Sequence, residues 1–171
     1  TSAMQPLGRQ RTNPARPTSN AVGVADARMA PAVAAALAQR GNRALVFRGD
    51  DGLDELTTTT TSQVWVVRDG VVRTAVLDPG DLGISRAAPA ELKGADAVYN
   101  AKVARAVFTG ERGAVRDTVL LNAAAGVVAS EGPTAESLVD QLRAAITRCA
   151  QAIDEGAANA KLDDWVDASR S

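Results

Sequence analysis

The spacing of apolar positions changes several times along the chain, and each change marks an element. Asn20-Ala-Val-Gly-Val24 reads as a short strand. From Asp26, placed as an N-cap, to Gln39 the residues Met29, Val33 and Leu37 recur four apart, the spacing of one helix face. Gly41-Asn42 ends that helix, and residues 43–48 are an apolar run suited to a buried strand. Strand, helix and strand in such close succession make a βαβ unit and favour a parallel pair. Residues 63–68 and 71–77 flank Asp69-Gly70, the strongest hairpin signal in the sequence. Residues 79–92, with Pro or Gly every few positions, read as irregular chain.

Beyond that point the period is helical throughout. Helices are expected over 96–108, ended by Gly110, and over 115–129, where the residues are apolar on nearly every side, as in a buried helix. Thr134 is placed as the cap of a longer helix with Glu136 in its first turn, carrying Leu138, Leu142, Ala145, Ile146, Cys149 and Ile153 at helical spacing. A last helix over 157–168 carries Leu162, Trp165 and Val166. The expected fold class is α/β, a mainly parallel sheet with a β-hairpin and flanking helices. Residues 1–19, rich in Pro, Arg, Asn and Ser, form an irregular leading segment, and residues 20–171 one α/β domain.

Composition narrows the chemistry. At 171 residues and 46% hydrophobic content the chain can bury a sizeable core, but only 3% of it is aromatic, so Ala, Val and Leu must fill that core. A net charge of −1 with both signs scattered leaves no electrostatic footprint for nucleic acid or for an anionic membrane. With no histidine, Ser-His-Asp and Cys-His mechanisms and His-containing zinc sites are excluded. The single cysteine, Cys149, falls on a helix core face and reads as a small buried hydrophobe, and the chain reads as cytoplasmic. The longest uncharged apolar run, from Thr118 to Ser130, is too short to span a bilayer.

One loop stands out as candidate chemistry. Gly49-Asp-Asp-Gly-Leu-Asp-Glu55 follows an apolar strand, the place where open α/β sheets bind ligands, and it gathers four carboxylates. Hard cations such as magnesium take oxygen ligands of this kind and share them with waters and substrate phosphates; an acidic surface turn is the competing reading. The five threonines from Thr57 to Thr61 suit a loop or the start of a strand rather than chemistry. Arg16, between Pro14 and Pro17, could meet a carboxylate or phosphate bidentately and is a candidate substrate-binding residue, with a structural arginine as the alternative. Asn100 and Asn122 are polar residues on apolar helices, the usual sign of an amide that bonds a neighbouring loop. Asp154-Glu155 and Asp163-Asp164 read as solvated helix faces. No GxGxxG or Walker-type phosphate loop is present.

Several of these strings occur together in one family. Thr12-Asn-Pro-Ala-Arg-Pro17, Val22-Gly-Val24, the run from Leu45 to Ser62, Leu92-Lys-Gly-Ala-Asp96, Asn100-Ala101, Val115-Arg-Asp117 and Leu120-Leu-Asn-Ala-Ala124 resemble, in order, the large domain of anthranilate phosphoribosyltransferases in their actinobacterial style. The resemblance covers residues 12–168. It implies a pentosyltransferase of tryptophan biosynthesis that joins anthranilate to the ribosyl carbon of phosphoribosyl pyrophosphate, with Asp54 and Glu55 holding Mg2+ against the pyrophosphate. It also implies an amino-terminal helical domain, a Gly-rich phosphate loop and anthranilate-placing residues, none of which this sequence displays. The expectation is therefore a truncated transferase, inactive by itself, with another copy of itself (a homo-oligomer) or a complementing chain as its expected protein partner. The alternatives are a non-catalytic binding or self-association module and a pyrimidine nucleoside phosphorylase-like enzyme.

Overall fold

The computed structural model describes residues 17–170, so Arg16 and most of the leading segment lie outside the described residues. Four strands form one sheet in the order β1 (Ser19–Gly23), β2 (Arg43–Gly49), β3 (Ser62–Arg68) and β4 (Val71–Leu77). Five helices accompany them: α1 (Ala30–Gln39), α2 (Ala97–Phe108), α3 (Ala114–Glu131), α4 (Leu138–Asp154) and α5 (Ala157–Ala168).

The α/β class, the hairpin and the flanking helices stand as expected. The sheet, however, is mixed rather than mainly parallel. Only β1 and β2 pair in parallel, while β2 with β3 and β3 with β4 are antiparallel. A parallel return from β2 would need a crossover, usually a helix. The chain between Gly49 and Ser62 instead closes on itself, with Gly49 N–H bonded to Leu53 O and Asp50 N–H to Thr61 O, and it delivers β3 back alongside β2. At the next turn Asp69 and Gly70 have φ of 50° and 75°, the left-handed pair that a two-residue hairpin of matching twist requires.

Two helices begin later than the sequence signals suggest. The Asp26 carboxylate accepts from the backbone N–H and the guanidinium of Arg28, and these bonds hold its pKa down at about 2. It is thus committed to a local turn, and α1 starts at Ala30 with Pro31 in its first turn, where a missing N–H costs nothing. Thr134 is likewise bonded to the Ser137 hydroxyl, Glu136 pairs with Arg73 outside the helix, and α4 starts at Leu138. Residues 79–92 are not wholly irregular: they contain short 3-10 turns at Pro79–Leu82 and Pro89–Leu92.

The sheet separates two apolar layers, and the strand period of two assigns its residues to them. Along β2, Ala44 and Val46 pack with Val67 against Ala30, Val33, Ala34 and Leu37 of α1. Leu45 and Phe47 face the other way, joining Val64, Val66 and Leu77 against Leu121, Ala125 and Val128 of α3 and Leu142 of α4. Small alanines on α3 let the helix lie close to the sheet, which makes it a stiff wall behind the loop that follows β2. A buried arginine ties α3 to α4: Arg116, only 3% exposed, reaches Asp154 at 2.8 Å. Asp154 is therefore the counter-charge of an interior cation rather than one more solvated carboxylate. Cys149 is half-buried, and burial pushes its thiol pKa up, as expected of a packing residue. Among the described residues no helix is long and apolar enough to cross a membrane.

Candidate functional site

The acidic loop leaves β2 at Gly49, beside the carboxyl end of the parallel strand β1. Its glycines have steric reasons. Gly52 has a φ of 96°, a conformation that side chains disfavour. Gly23, at the end of β1, lies directly under Asp54: a Cβ there would sit 1.4 Å from the Asp54 carbonyl oxygen. Strand and loop touch backbone to backbone, a contact that an isolated glycine in a strand pattern often marks.

Within this loop the four carboxylates divide into two pairs. Asp50 accepts from the Thr61 hydroxyl at 2.5 Å. Asp51 accepts from the hydroxyls of Thr57 at 2.5 Å and Thr59 at 2.6 Å, and from Leu53 N–H at 3.1 Å. Burial by itself would raise the Asp51 pKa, but these donors outweigh it and hold the group below the ordinary aspartate value. The threonine run therefore serves the loop by fixing two of its acids. Asp54 and Glu55 are the other pair. Both are exposed, and neither side chain has a hydrogen-bond or ion-pair partner among the described residues.

These two line a cleft of about 330 Å³ with Leu53, Leu92, Val115, Thr118 and Val119. One wall of the cleft is carboxylate and open to water; the other is apolar, built from the first turns of α3. A second cleft of about 250 Å³, between α2 and α3, shares Leu92, Val115 and Val119 with it. Two adjacent, unpaired carboxylates suit a hard cation that keeps several waters and takes its remaining oxygens from an anionic ligand. Among the described residues there is no group of three or more acidic or Cys side chains arranged to enclose a metal by themselves.

Residues remote in sequence hold the loop from behind. Asn122, on α3, accepts from Leu56 N–H at 3.0 Å and donates to Leu56 O at 2.8 Å. One turn earlier, Thr118 meets Thr58 hydroxyl to hydroxyl at 2.9 Å. Arg86 donates to Thr59 O at 3.5 Å and pairs with Asp78, while Arg48 donates to Ala25 O at 2.8 Å and bridges the ends of the parallel strands. Asn100 bonds the N–H and the carbonyl of Ala95, so it steadies the start of α2 and stands outside this cleft. Both asparagines thus bond neighbouring chain, as their place on apolar helices suggests. The Asp51 cluster and the Gly23 contact escaped the reading of the sequence, although alternate threonines after an acid and a glycine within a strand were their visible signals.

For Arg16 only its neighbour is described. Pro17 O accepts from Asn42, at the amino end of β2, the far end of that strand from the acidic loop.

Comparison with known proteins adds to this geometry. Residues 6–159 match the model of the glycosyl transferase family, a/b domain. An anthranilate phosphoribosyltransferase of Acidothermus cellulolyticus is 66% identical over 160 residues, which cover 94% of this chain and 45% of that protein. The chain spans about half the length of the curated relatives it matches. The crystal structure of anthranilate phosphoribosyltransferase from Thermus thermophilus is 31% identical with a TM-score of 0.60, covering 80% of this chain and 41% of that one. A single-residue variant of the Saccharomyces cerevisiae enzyme with Mg bound shares the fold, at 22% identity and a TM-score of 0.74, covering 86% of this chain and 42% of that one.

Proposed function

We propose, from the premise that this chain belongs to the glycosyl transferase family whose a/b domain it matches, that it is the pyrophosphate-facing part of an anthranilate phosphoribosyltransferase. The observation that carries the reading is the division of the acidic loop: in a chain 66% identical to an enzyme of that name, Asp54 and Glu55 alone among the four loop acids have no donor among the described residues, and both face a cleft. They are the residues that would hold Mg2+. Bound there, the ion would neutralise charge building on the departing pyrophosphate of phosphoribosyl pyrophosphate.

The chain's own residues do the rest of the work. Threonine hydroxyls keep Asp50 and Asp51 from competing for the cation. Leu92, Val115 and Val119 present an apolar wall near the carboxylates, and its low local dielectric strengthens charge interactions across the cleft. No covalent nucleophile is needed for this displacement, in keeping with a chain that has no histidine. The proposal takes phosphoribosyl pyrophosphate and anthranilate as the substrates and places the enzyme in the cytoplasm.

Calorimetry of the chain with Mg2+ and inorganic pyrophosphate tests this reading. Binding is expected to require the metal and to weaken at least about tenfold in Asp54→Ala and in Glu55→Ala. Pyrophosphate binding that ignores both the metal and these substitutions would sink it. Turnover of anthranilate and phosphoribosyl pyrophosphate by the chain alone, lost in Asp54→Ala, would overturn only the expectation that the chain is inactive by itself. One observation favours a second reading, a self-association module: Val98 and Tyr99 on α2 are 67% and 48% exposed. A dimer by light scattering that Val98→Asp dissolves, with no metal-dependent pyrophosphate binding, would favour it.

A further inference from the structure

Resting on the reading of Asp54 and Glu55 as metal ligands, we propose that Asn122 is the positioning residue of that metal corner, setting it through the backbone of Leu56. Leu56 follows Glu55 directly, and its side chain is 1% exposed, sunk in the core between the sheet and α3. Its two backbone groups cannot turn to water without pulling that side chain out. The Asn122 amide satisfies both, accepting from the N–H at 3.0 Å and donating to the carbonyl at 2.8 Å. The second amide hydrogen goes to Thr118 O at 3.0 Å, so all of its donors are used and the amide cannot rotate away. Asn122 thus acts like a strand partner for one residue of an otherwise irregular loop.

The place from which it acts matters as much as the bonds. Leu121, Ala124 and Ala125, around it on α3, are fully buried against the sheet, so the amide is mounted on one of the least movable parts of the fold. At the other end of the acidic pair, the Gly23 contact fixes the carbonyl of Asp54. The two carboxylates therefore hang between two backbone anchors, one on the sheet and one on α3. Carboxylates that share a cation with waters and a ligand must be held to within about half an ångström, and groups that orient metal ligands from behind typically contribute about ten- to a hundredfold in affinity. Asn122 would act in this way without touching the metal.

The test is Mn2+ titration followed by electron paramagnetic resonance of the free ion, together with hydrogen exchange at the Leu56 amide. Asn122→Ala is expected to weaken Mn2+ binding about tenfold or more and to expose the Leu56 N–H to exchange. Leu37→Ala, buried in the apolar layer on the other face of the sheet, is expected to lower the melting temperature and leave Mn2+ affinity within about twofold. Should Asn122→Ala not fold, Asn122→Asp keeps the acceptor for Leu56 N–H and loses the donors, and a weakening smaller than that of Asp54→Ala is expected. Mn2+ affinity unchanged in the Asn122 variants, or lost equally in Leu37→Ala, overturns the proposal. If the unsubstituted chain and Asp54→Ala titrate alike, the metal reading itself falls and takes this inference with it.

Discussion

Replacing Gly23 by alanine would perturb the acidic loop from the side of the sheet. The methyl carbon would be placed 1.4 Å from the Asp54 carbonyl oxygen and 2.4 Å from its carbonyl carbon. Even a favourable carbon–oxygen contact is about 3.3 Å long, so the loop must withdraw by roughly 2 Å at Asp54 or β1 must shift by as much. Neither backbone is free to move. Gly23 is in register with Phe47 of β2, and Leu56 is anchored by Asn122 two residues after Asp54. Forced overpacking of this kind costs about 1–3 kcal/mol, and the clash here is with backbone rather than a flexible side chain, so about 3 kcal/mol is expected. For a chain of this size that corresponds to a fall of about 6–12 °C in Tm, to be read by differential scanning calorimetry. Mn2+ titration of the same variant should show weakened binding, because the carboxylates move with the loop. A Gly23→Ala protein that melts with the unsubstituted chain and binds Mn2+ equally well would refute the claim that Gly23 sets the position of Asp54.

Three further substitutions examine other supports. Asp51→Asn should lower stability by about 1 kcal/mol at neutral pH, since three donors lose a charged acceptor that is itself partly exposed. The folded-state pKa of Asp51 is depressed, so its contribution is present above the unfolded value of about 3.9 and is lost as pH falls through the folded value. The gap between the urea midpoints of the two proteins should therefore narrow as pH falls below about 4 and close only below the folded-state value, and a gap that stays constant on acidification would contradict the assignment. Asp154→Ala leaves the buried Arg116 without its counter-charge and should cost about 2 kcal/mol, less than the ~3–5 of a wholly buried pair because Asp154 is 44% exposed. A urea midpoint that does not move would show that Arg116 finds water instead. Leu121→Ala, at a site with no exposed surface, should cost about 2–5 kcal/mol in chemical denaturation, and a loss below about 1 kcal/mol would mean that α3 is not the stiff wall described above.

Much of the fold was written in local pattern. The βαβ start, the Asp-Gly hairpin and the apolar helix over α3 follow from period and turn chemistry, which each segment carries within itself. The starts of α1 and α4 were less legible. Asp26 and Thr134 are good capping residues in isolation, but each is drawn into a competing local bond, to Arg28 and to Ser137, and the helices begin further on. The mixed sheet was misread for a related reason. Whether β3 returns parallel or antiparallel depends on how the loop after β2 closes, and apolar runs carry no direction.

The sequence alone determined that an acidic loop follows a buried strand in an α/β fold, and its ordered motifs pointed to a family that the match over residues 6–159 bears out. Only the tertiary structure decided which of the four acids are committed and which have no donor among the described residues. Asp50 and Asp51 are consumed by threonines a few residues on, while Leu56 is pinned by an asparagine 66 residues away on α3. The physical reason is that a carboxylate's availability is set by the donors that surround it in space. Those donors come from a loop closure and a helix packing that no local spacing encodes.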